Sequence, residues 1–293
     1  MCVSDLFSKP LLLFWGKKTL DGFAFDNIVI EGEVVEDPIE VISQFPYSES
    51  FEDGAGFWNA VALQGNVNDW ELGTPAGSVI MGASDGENAW ATNLDGAYAD
   101  SQVSAVLSPY FDFSDLENPQ FSLDIWYETE PFFDGAALQA SVDSGASWIT
   151  IGDQDDFYRG GVVFLNELGT SFTSGWTGNV TSGLGSGDYI RVTADLSSVV
   201  VFTTAGEPTD TISLAGESLV QFRVLFRAGA AFDGANELDG VAFDNILIEE
   251  ATQPVVINEF PYMESFEEGN GGWESGVIFG SANSWELGTL PVQ

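Results

Sequence analysis

The chain has 293 residues, of which 44% are apolar and 13% aromatic, so it carries ample material for a hydrophobic core. Its 46 acidic residues outnumber 7 basic ones, and the net charge of −39 repels phosphate backbones and anionic lipid surfaces, so we expect no nucleic-acid binding. His is absent and Cys2 is the only cysteine, which excludes Ser-His-Asp and Cys-His catalysis, His or Cys zinc sites and intrachain disulfides.

The first residues differ from the rest of the chain. Residues 1–17 match no later segment, and we expect a non-repeat or non-native leader there. The apolar run LLLFW at residues 11–15 is too short to span a membrane and lacks the small-residue cleavage site of a signal peptide. We therefore expect no membrane insertion, and a secretion signal would lie upstream.

Three motifs occur twice, and their order shows the end of one unit before the start of the next. The pairs are LDGFAFDNIVIE (20–31) with LDGVAFDNILIE (238–249), FPYSESFEDG (45–54) with FPYMESFEEG (260–269), and NDWELGT (68–74) with NSWELGT (283–289). Repetition at a fixed distance is typical of tandem arrays. We therefore expect the C-terminal strand of a preceding repeat at 18–35, a complete unit at 38–250, and the N-terminal portion of a following repeat at 254–293.

Within the complete unit, short runs alternate between apolar and polar residues, with Gly, Asp, Asn and Ser between them. In FSLDIWYETE, the predicted inward residues are Phe121, Leu123, Ile125 and Tyr127. In ALQASVDSGASWITIG, Leu138, Ala140 and Val142 are predicted to point inward, with a hairpin turn at 143–145. The strands YIRVTADL and LVQFRVLFR alternate in the same way, with outward arginines. The pattern predicts an all-β, antiparallel two-sheet sandwich.

The ordered set of motifs resembles the MAM domain family in a cysteine-free bacterial form. The set runs SFEDG, WELGTP, NAWATNLDGAY, VLSPYFDFS, FSLDIWYE, DGAALQASVDSGASW and VQFRVLF…DGVAFDNI, and it covers about 38–250 and both terminal segments. The resemblance implies a concanavalin-like jelly roll that acts in adhesion and protein association without catalysis. The chain lacks the cysteines of animal MAM domains.

The same resemblance implies a structural Ca²⁺ site, for which the candidate ligands are Glu49, Glu52, Asp85 and Asp244. In the closing strand, alternation places Asp244 on one face with Ala242, Ile246 and Ile248. A buried carboxylate is costly unless it is paired or bound to a cation. Carbonyls of the turn ASDGEN (83–88) could complete the six to eight oxygens that calcium takes. The alternative is that Asp244 and Glu49 accept backbone N–H bonds or cap turns.

A second candidate set lies on the opposite face of FSLDIWYETE and comprises Asp124, Trp126, Glu128 and Glu130. This face could contact a ligand, and its carboxylates resemble the pairs of jelly-roll glycosidases. Those enzymes carry Glu two residues before the Asp, where this chain has Ser122. Arg191, Arg223 and Arg227 could form cross-strand ion pairs with these carboxylates. We therefore expect no enzyme.

The sequence favours a non-catalytic extracellular or cell-surface module for adhesion, interaction or spacing. The expected partners are cell-surface proteins or glycans and neighbouring repeats of the same chain. The alternative is a carbohydrate-binding module accessory to a secreted hydrolase. A solvent-exposed row of coplanar Trp or Tyr would favour that alternative, whereas aromatic side chains between the sheets would not.

Overall fold

The structure is a computed structural model. It describes residues 40–164, 172–202, 208–230, 237–251, 257–267, 269–271 and 273. The chain divides into two compact units, Met1–Pro38 and Ile39–Gln293. The leader at 1–17, the predicted strand at 18–35 and the second NSWELGT motif lie outside the described residues, so the domain limits stay predictions. No helix in the described part has the length and apolar character required to cross a membrane.

Sixteen strands are present in the described ranges. They are β1 (Val41–Ile42), β2 (Tyr47–Glu49), β3 (Asn59–Gln64), β4 (Trp70–Gly73), β5 (Ala89–Thr92), β6 (Gln102–Phe111), β7 (Pro119–Glu128), β8 (Gly135–Ser141), β9 (Ile149–Thr150), β10 (Val162–Phe164), β11 (Phe172–Ser174), β12 (Ile190–Asp195), β13 (Val199–Phe202), β14 (Pro208–Ile212), β15 (Val220–Ala228) and β16 (Gly240–Glu250).

The strands form two main sheets, which confirms the predicted all-β sandwich. The first sheet has the order β1-β6-β15-β8-β9, with β3 also on β6. The second has the order β12-β7-β16-β5-β4, with β2 on β16. Two small antiparallel pairs, β10-β11 and β13-β14, complete the description. The pairing is antiparallel except that β1 runs parallel to β6, a departure from the predicted fully antiparallel sheets.

The core lies between the two main sheets, and strand alternation predicted part of it. Phe121, Leu123 and Ile125 of β7 are fully buried and belong to one apolar cluster. From β15, the predicted inward residues Phe222 and Phe226 join the same cluster. Burial of side chains of this size supplies the main driving force for folding, at about 1.5–3 kcal/mol for each.

The prediction for Val142 is wrong, because its side chain is 42% exposed. Strand β8 ends at Ser141, and the chain then turns through Ser144 and Gly145, which both have positive φ. The hydroxyl of Ser141 and the carboxylate of Asp143 organise this turn through mutual and backbone hydrogen bonds. Alternation therefore stops one residue earlier than the sequence pattern indicates.

Candidate functional site

A β-bulge in β16 decides where the acidic side chains of the closing strand point. Asn245 has a φ of 51°, and one extra residue of β16 lies between the pairs Asp244–Asp124 and Leu247–Ser122. Because side chains alternate with period two, an extra residue reverses the faces beyond it. Ile246 is consequently in the core, whereas Asp244 lies on the outer face of the sheet.

The predicted single face of Ala242, Asp244, Ile246 and Ile248 is therefore wrong. Ala242 belongs to a separate outer cluster with Ile80 and Trp126, whereas Ile248 packs in the main core. The sequence signal that could have revealed the change is the Asn in the middle of the strand pattern, since Asn tolerates the left-handed conformation that a bulge requires.

Asp244 is fully buried under the loop that follows β4. One of its carboxylate oxygens accepts the backbone N–H groups of Ser84 and Asp85, each at 3.0 Å, and the other accepts the N–H of Asn245 at 2.6 Å. Burial raises the pKa of Asp244 to about 6, although these N–H bonds act in the opposite direction. The residue therefore ties a surface loop to the central strand.

Glu52 holds the other end of the same loop. Its Oε1 accepts the N–H groups of Glu87 at 2.9 Å and Asn88 at 2.7 Å. Gly86, between these contacts and Asp85, has a φ of +66°, and a Cβ there would lie within 2.7 Å of the Glu52 carboxylate. The structure thus brings the carboxylates of Glu52 and Asp244 and the backbone N–H of Asp85 to one loop.

Glu49 does not join that group. Its carboxylate accepts the N–H of Phe51 at 2.8 Å and lies against Gly56, where a Cβ would be 1.8 Å from Oε2. Glu49 pairs with Ile246, which faces the core, whereas Asp244 is on the other side of the sheet. Strands β2 and β16 are therefore paired, but the carboxylates of Glu49 and Asp244 lie on opposite sides of the sheet.

The donor set matches a calcium site only in part. Calcium takes six to eight oxygens around one point. In the described residues, no three acidic side chains converge on such a point, and the oxygens of Glu52 and Asp244 face N–H donors. In the structure, the carboxylates of Glu52 and Asp244 tether a loop. Calcium binding at Glu49, Glu52, Asp85 and Asp244 stays a prediction.

Asp124 is the centre of a polar network on the outer face. Its carboxylate pairs with the Arg191 guanidinium at 3.2 Å and accepts bonds from the Asn245 amide at 2.9 Å and the Ser84 hydroxyl at 2.7 Å. The expected ion pair with Arg191 is therefore present. Because β15 belongs to the other sheet, Arg223 and Arg227 are not available to this face.

The two arginines of β15 have other partners. Arg223 donates from Nε to Gln139 at 2.8 Å and lies 4.2 Å from the ring centroid of Trp148, a cation–π contact. Arg227 donates to the carbonyl of Phe164 at 3.1 Å. Both residues are on a strand of the first sheet, so the predicted ion-pair lattice with β7 is wrong at these two positions.

Of the remaining members of the second candidate set, Trp126 and Glu128 are buried, whereas Glu130 is partly exposed. Trp126 lies beneath Tyr189, with ring centroids 5.4 Å apart. Glu128 is almost fully buried and accepts the N–H of Val180 at 2.8 Å, and burial raises the pKa of this carboxyl. Burial also raises the pKa of Glu130, which lies just beyond β7. Strand alternation places these residues on one face, but that face does not expose a pair of carboxyl groups to a substrate.

An open cleft of about 510 Å³ lies beside the bulge, and no pattern in the sequence predicted it. Its lining includes Glu49, Asp53, Arg191, Asn245 and Leu247. The cleft combines the Asp53 carboxylate with the Arg191 guanidinium and an apolar wall. Such a surface can contact a partner through hydrogen bonds and charge without any reactive group.

Four tryptophans of the sandwich are part of its core. Trp58, Trp70, Trp90 and Trp176 are all buried. Within the described part of residues 40–251, no Trp or Tyr side chain is among the exposed large apolar groups. The exposed aromatic row that a sugar-stacking surface requires is thus not found in that part of the chain.

Comparison with known proteins places the chain in no established family. No family model matches it. Bacillopeptidase F of Bacillus subtilis is 26% identical to this chain over 136 residues, which make up 46% of this chain and 9% of that protein. The chain therefore spans less than a tenth of the length of this curated relative.

Several solved β-sandwich domains are similar at low levels. The K1 cleaved adhesin domain of Lys-gingipain from Porphyromonas gingivalis has a TM-score of 0.38 and 15% identity, with 71% of this chain and 100% of that chain covered. The family 11 carbohydrate-binding module of a cellulosomal cellulase of Clostridium thermocellum has a TM-score of 0.36 and 10% identity, with 70% and 95% covered.

Proposed function

We propose that this chain is a non-catalytic adhesion or interaction module of a secreted or cell-surface protein, built as a MAM-like unit of a tandem array. The observation that supports this most is the use of the acidic side chains. Asp244 and Glu52 tether a loop, Asp124 pairs with Arg191, and Glu128 binds a backbone N–H. A retaining or inverting glycosidase needs two carboxyl groups free to face a substrate.

The cleft beside the bulge is the proposed contact surface. Asp53 supplies an acceptor, and Arg191 supplies donors. This chemistry suits a polar partner that offers both hydroxyl or amine donors and carboxylate acceptors, as cell-surface glycans and proteins do. One such cleft gives a weak contact, and repeated units on one chain would add avidity.

Calcium remains part of the proposal at the loop 84–88. Asp85 lies between the two carboxylates that hold this loop. A cation there would stiffen the loop on which the outer face depends, and its role would be structural. The loop contacts β16 through Asp244, and β16 also lines the cleft. A stiffer loop would therefore also hold the cleft in one conformation.

A binding assay with the full chain tests the proposal. The chain is immobilised and exposed to cell-surface glycans and to intact cells, with two charge-reversal variants as a matched pair. Asp53→Lys changes the cleft, whereas Asp115→Lys changes an exposed residue of the loop between β6 and β7. We expect Asp53→Lys to weaken binding by about tenfold or more, which corresponds to about 1.4 kcal/mol, and Asp115→Lys to leave it unchanged.

Equal effects of the two variants would mean that the cleft is not the contact surface. Release of reducing sugar from any glycan, lost in Asp124→Asn, would overturn the non-catalytic assignment. Binding to soluble oligosaccharides with no binding to cells would instead support the carbohydrate-binding alternative.

A further inference from the structure

The second copy of the opening motif folds like the first. In the first copy, the carboxylate of Glu49 accepts the N–H of Phe51 at 2.8 Å, and Phe51 has a φ of 62°. In the second copy, Glu264 accepts the N–H of Phe266 at 2.7 Å, and Phe266 has a φ of 60°. The two copies thus share an unusual backbone conformation and the side-chain bond that holds it.

The aromatic contacts of the motif are repeated as well. Trp58 donates from Nε1 to the hydroxyl of Tyr47 at 3.0 Å, and Trp273 donates to the hydroxyl of Tyr262 at 3.3 Å. In both copies the tryptophan ring lies edge-on to the phenylalanine of the same motif, with centroids 6.0 Å apart in the first and 6.2 Å in the second. The local shape of the motif is therefore independent of its surroundings.

The two copies differ in what covers them. Phe51 and Trp58 are 0% and 2% exposed, because both rings pack on Phe243 of β16 at 5.8 and 6.0 Å. Phe266 and Trp273 are 42% and 62% exposed. The second motif thus presents to solvent the same aromatic face that the first one buries.

The first copy identifies the surface that fits this face. Strand β2 pairs antiparallel with β16, with Tyr47 opposite Ile248 and Glu49 opposite Ile246. Tyr262 occupies the position of Tyr47 in the second copy. Residues 251–261 separate the end of β16 from Tyr262, and antiparallel strands can be joined by far fewer residues. The second motif can therefore fold back along β16 of its own chain.

We propose that the opening motif is exchangeable: residues 260–273 can replace residues 45–58 on the edge of β16 and bury Phe266 and Trp273 where Phe51 and Trp58 lie. The sandwich can then be completed by either of two opening motifs, the one that precedes the rest of the unit in the chain or the one that follows it. This inference rests on the repeated motif and not on what the module binds.

Unfolding of the full chain in urea tests the exchange through four proteins: the parent, Phe51→Ala, Phe266→Ala and the double variant. Removal of a buried Phe ordinarily raises the unfolding equilibrium constant on the order of 10² to 10³-fold. We expect less than about a tenfold change for either single variant, because the other motif is intact. The double variant should show the full change. A Phe51→Ala effect as large as that of the double variant would overturn the proposal.

Phe222→Ala provides the matched control, because Phe222 is a fully buried core residue outside the motif. Its full cost should appear with and without Phe266. A smaller loss of unfolding free energy for Phe222→Ala in the parent chain than in the Phe266→Ala chain would mean that the unfolding data report something other than exchange. That result would also count against the proposal.

A disulfide trap gives a direct readout in a Cys2→Ser background. Ser48 lies opposite Leu247 in the first copy, and Met263 has the equivalent position in the second. Directly opposed residues in an antiparallel pair are within disulfide range. Ser48→Cys with Leu247→Cys should trap the observed pairing, and Met263→Cys with Leu247→Cys should trap the exchanged one as a monomer. Failure of the second pair to crosslink where the first succeeds, or crosslinking only between two chains, would reject exchange within one chain.

Discussion

Asp124 and Asp244 lie directly opposite each other on β7 and β16, and Ser84 bonds to both. The backbone N–H of Ser84 donates to Asp244, whereas its hydroxyl donates to Asp124. Asp244 is fully buried, but Asp124 is partly exposed and paired with Arg191. We therefore expect removal of these two aspartate side chains to lower the free energy of unfolding by different amounts.

Asp244→Ala should lower the free energy of unfolding by about 3 kcal/mol, because it removes two hydrogen bonds that its charged carboxylate accepts from the N–H groups of Ser84 and Asp85. Asp124→Ala is the matched control and should cost about 1 kcal/mol, the range of a partly exposed ion pair. Urea unfolding of both variants measures the difference. Equal losses would show that the loop tether does not depend on the buried carboxylate.

The stability contributed by Asp244 should depend on pH. Burial raises its pKa in the folded chain from 3.8 to about 6, so the folded state binds more protons than the unfolded state between these values. The free energy of unfolding therefore falls as pH rises through this window and levels off above it. Relative to Asp244→Asn, the parent chain should lose about 2 kcal/mol between pH 4 and pH 7.

Paired urea titrations at several pH values, in buffer with chelator, measure this difference directly. Subtraction of the Asp244→Asn curve removes the titration of the other carboxylates. A constant offset between the two proteins across the pH range would mean that Asp244 has its ordinary pKa when folded.

The bulge predicts a specific response at Asn245. Asn245→Val should destabilise the sandwich by about 1–2 kcal/mol or more, because a β-branched side chain opposes a φ of 51°. Asn245→Gly relieves that strain and loses only the amide bond to Asp124, so it should cost less than about 1 kcal/mol. Thermal or urea unfolding ranks the two. The reverse order would place the positive φ in doubt.

Calcium binding at the loop 84–88 is tested by thermal melts of the full chain with calcium and with chelator. A cation held by Asp85 and Asp244 would raise the melting temperature by more than about 5 °C at saturating calcium, since it binds only the native state. Asp85→Asn should abolish the rise without breaking the backbone tether. Identical melts in calcium and chelator would leave loop tethering as the role of these carboxylates.

The strand faces of β7 and β15 could be predicted from the sequence because each is regular along its inward residues. Phe121, Leu123 and Ile125 recur with period two and are all buried. The same rule failed at Asp244, where one extra residue reverses the faces, and at Val142, which lies just beyond the end of its strand. Local periodicity predicts faces only as long as the ladder is uninterrupted.

The candidate site was predicted in its parts but not in its arrangement. The carboxylates of Glu52 and Asp244 and the backbone of Asp85 meet at one loop, whereas Glu49, which the sequence grouped with them, does not join it. The Asp124–Arg191 pair was expected, whereas the cleft that Arg191 lines was not. A cleft is formed by segments that meet only after folding, so no local pattern encodes it.

The amino-acid sequence by itself determined the all-β class, the inward residues of the regular strands and the repetition of the opening and closing motifs. Period-two burial and repeated motifs are local properties of the sequence, and for that reason they could be recognised without the fold. Only the tertiary structure decided which oxygen faces which donor. Ser84 and Asp244 are 160 residues apart in the chain. Their contact depends on the order of strands in the sheet and on the bulge at Asn245. The second copy of the opening motif could be recognised from the sequence. The surface that this copy fits was revealed only by the first copy, which is buried in the structure.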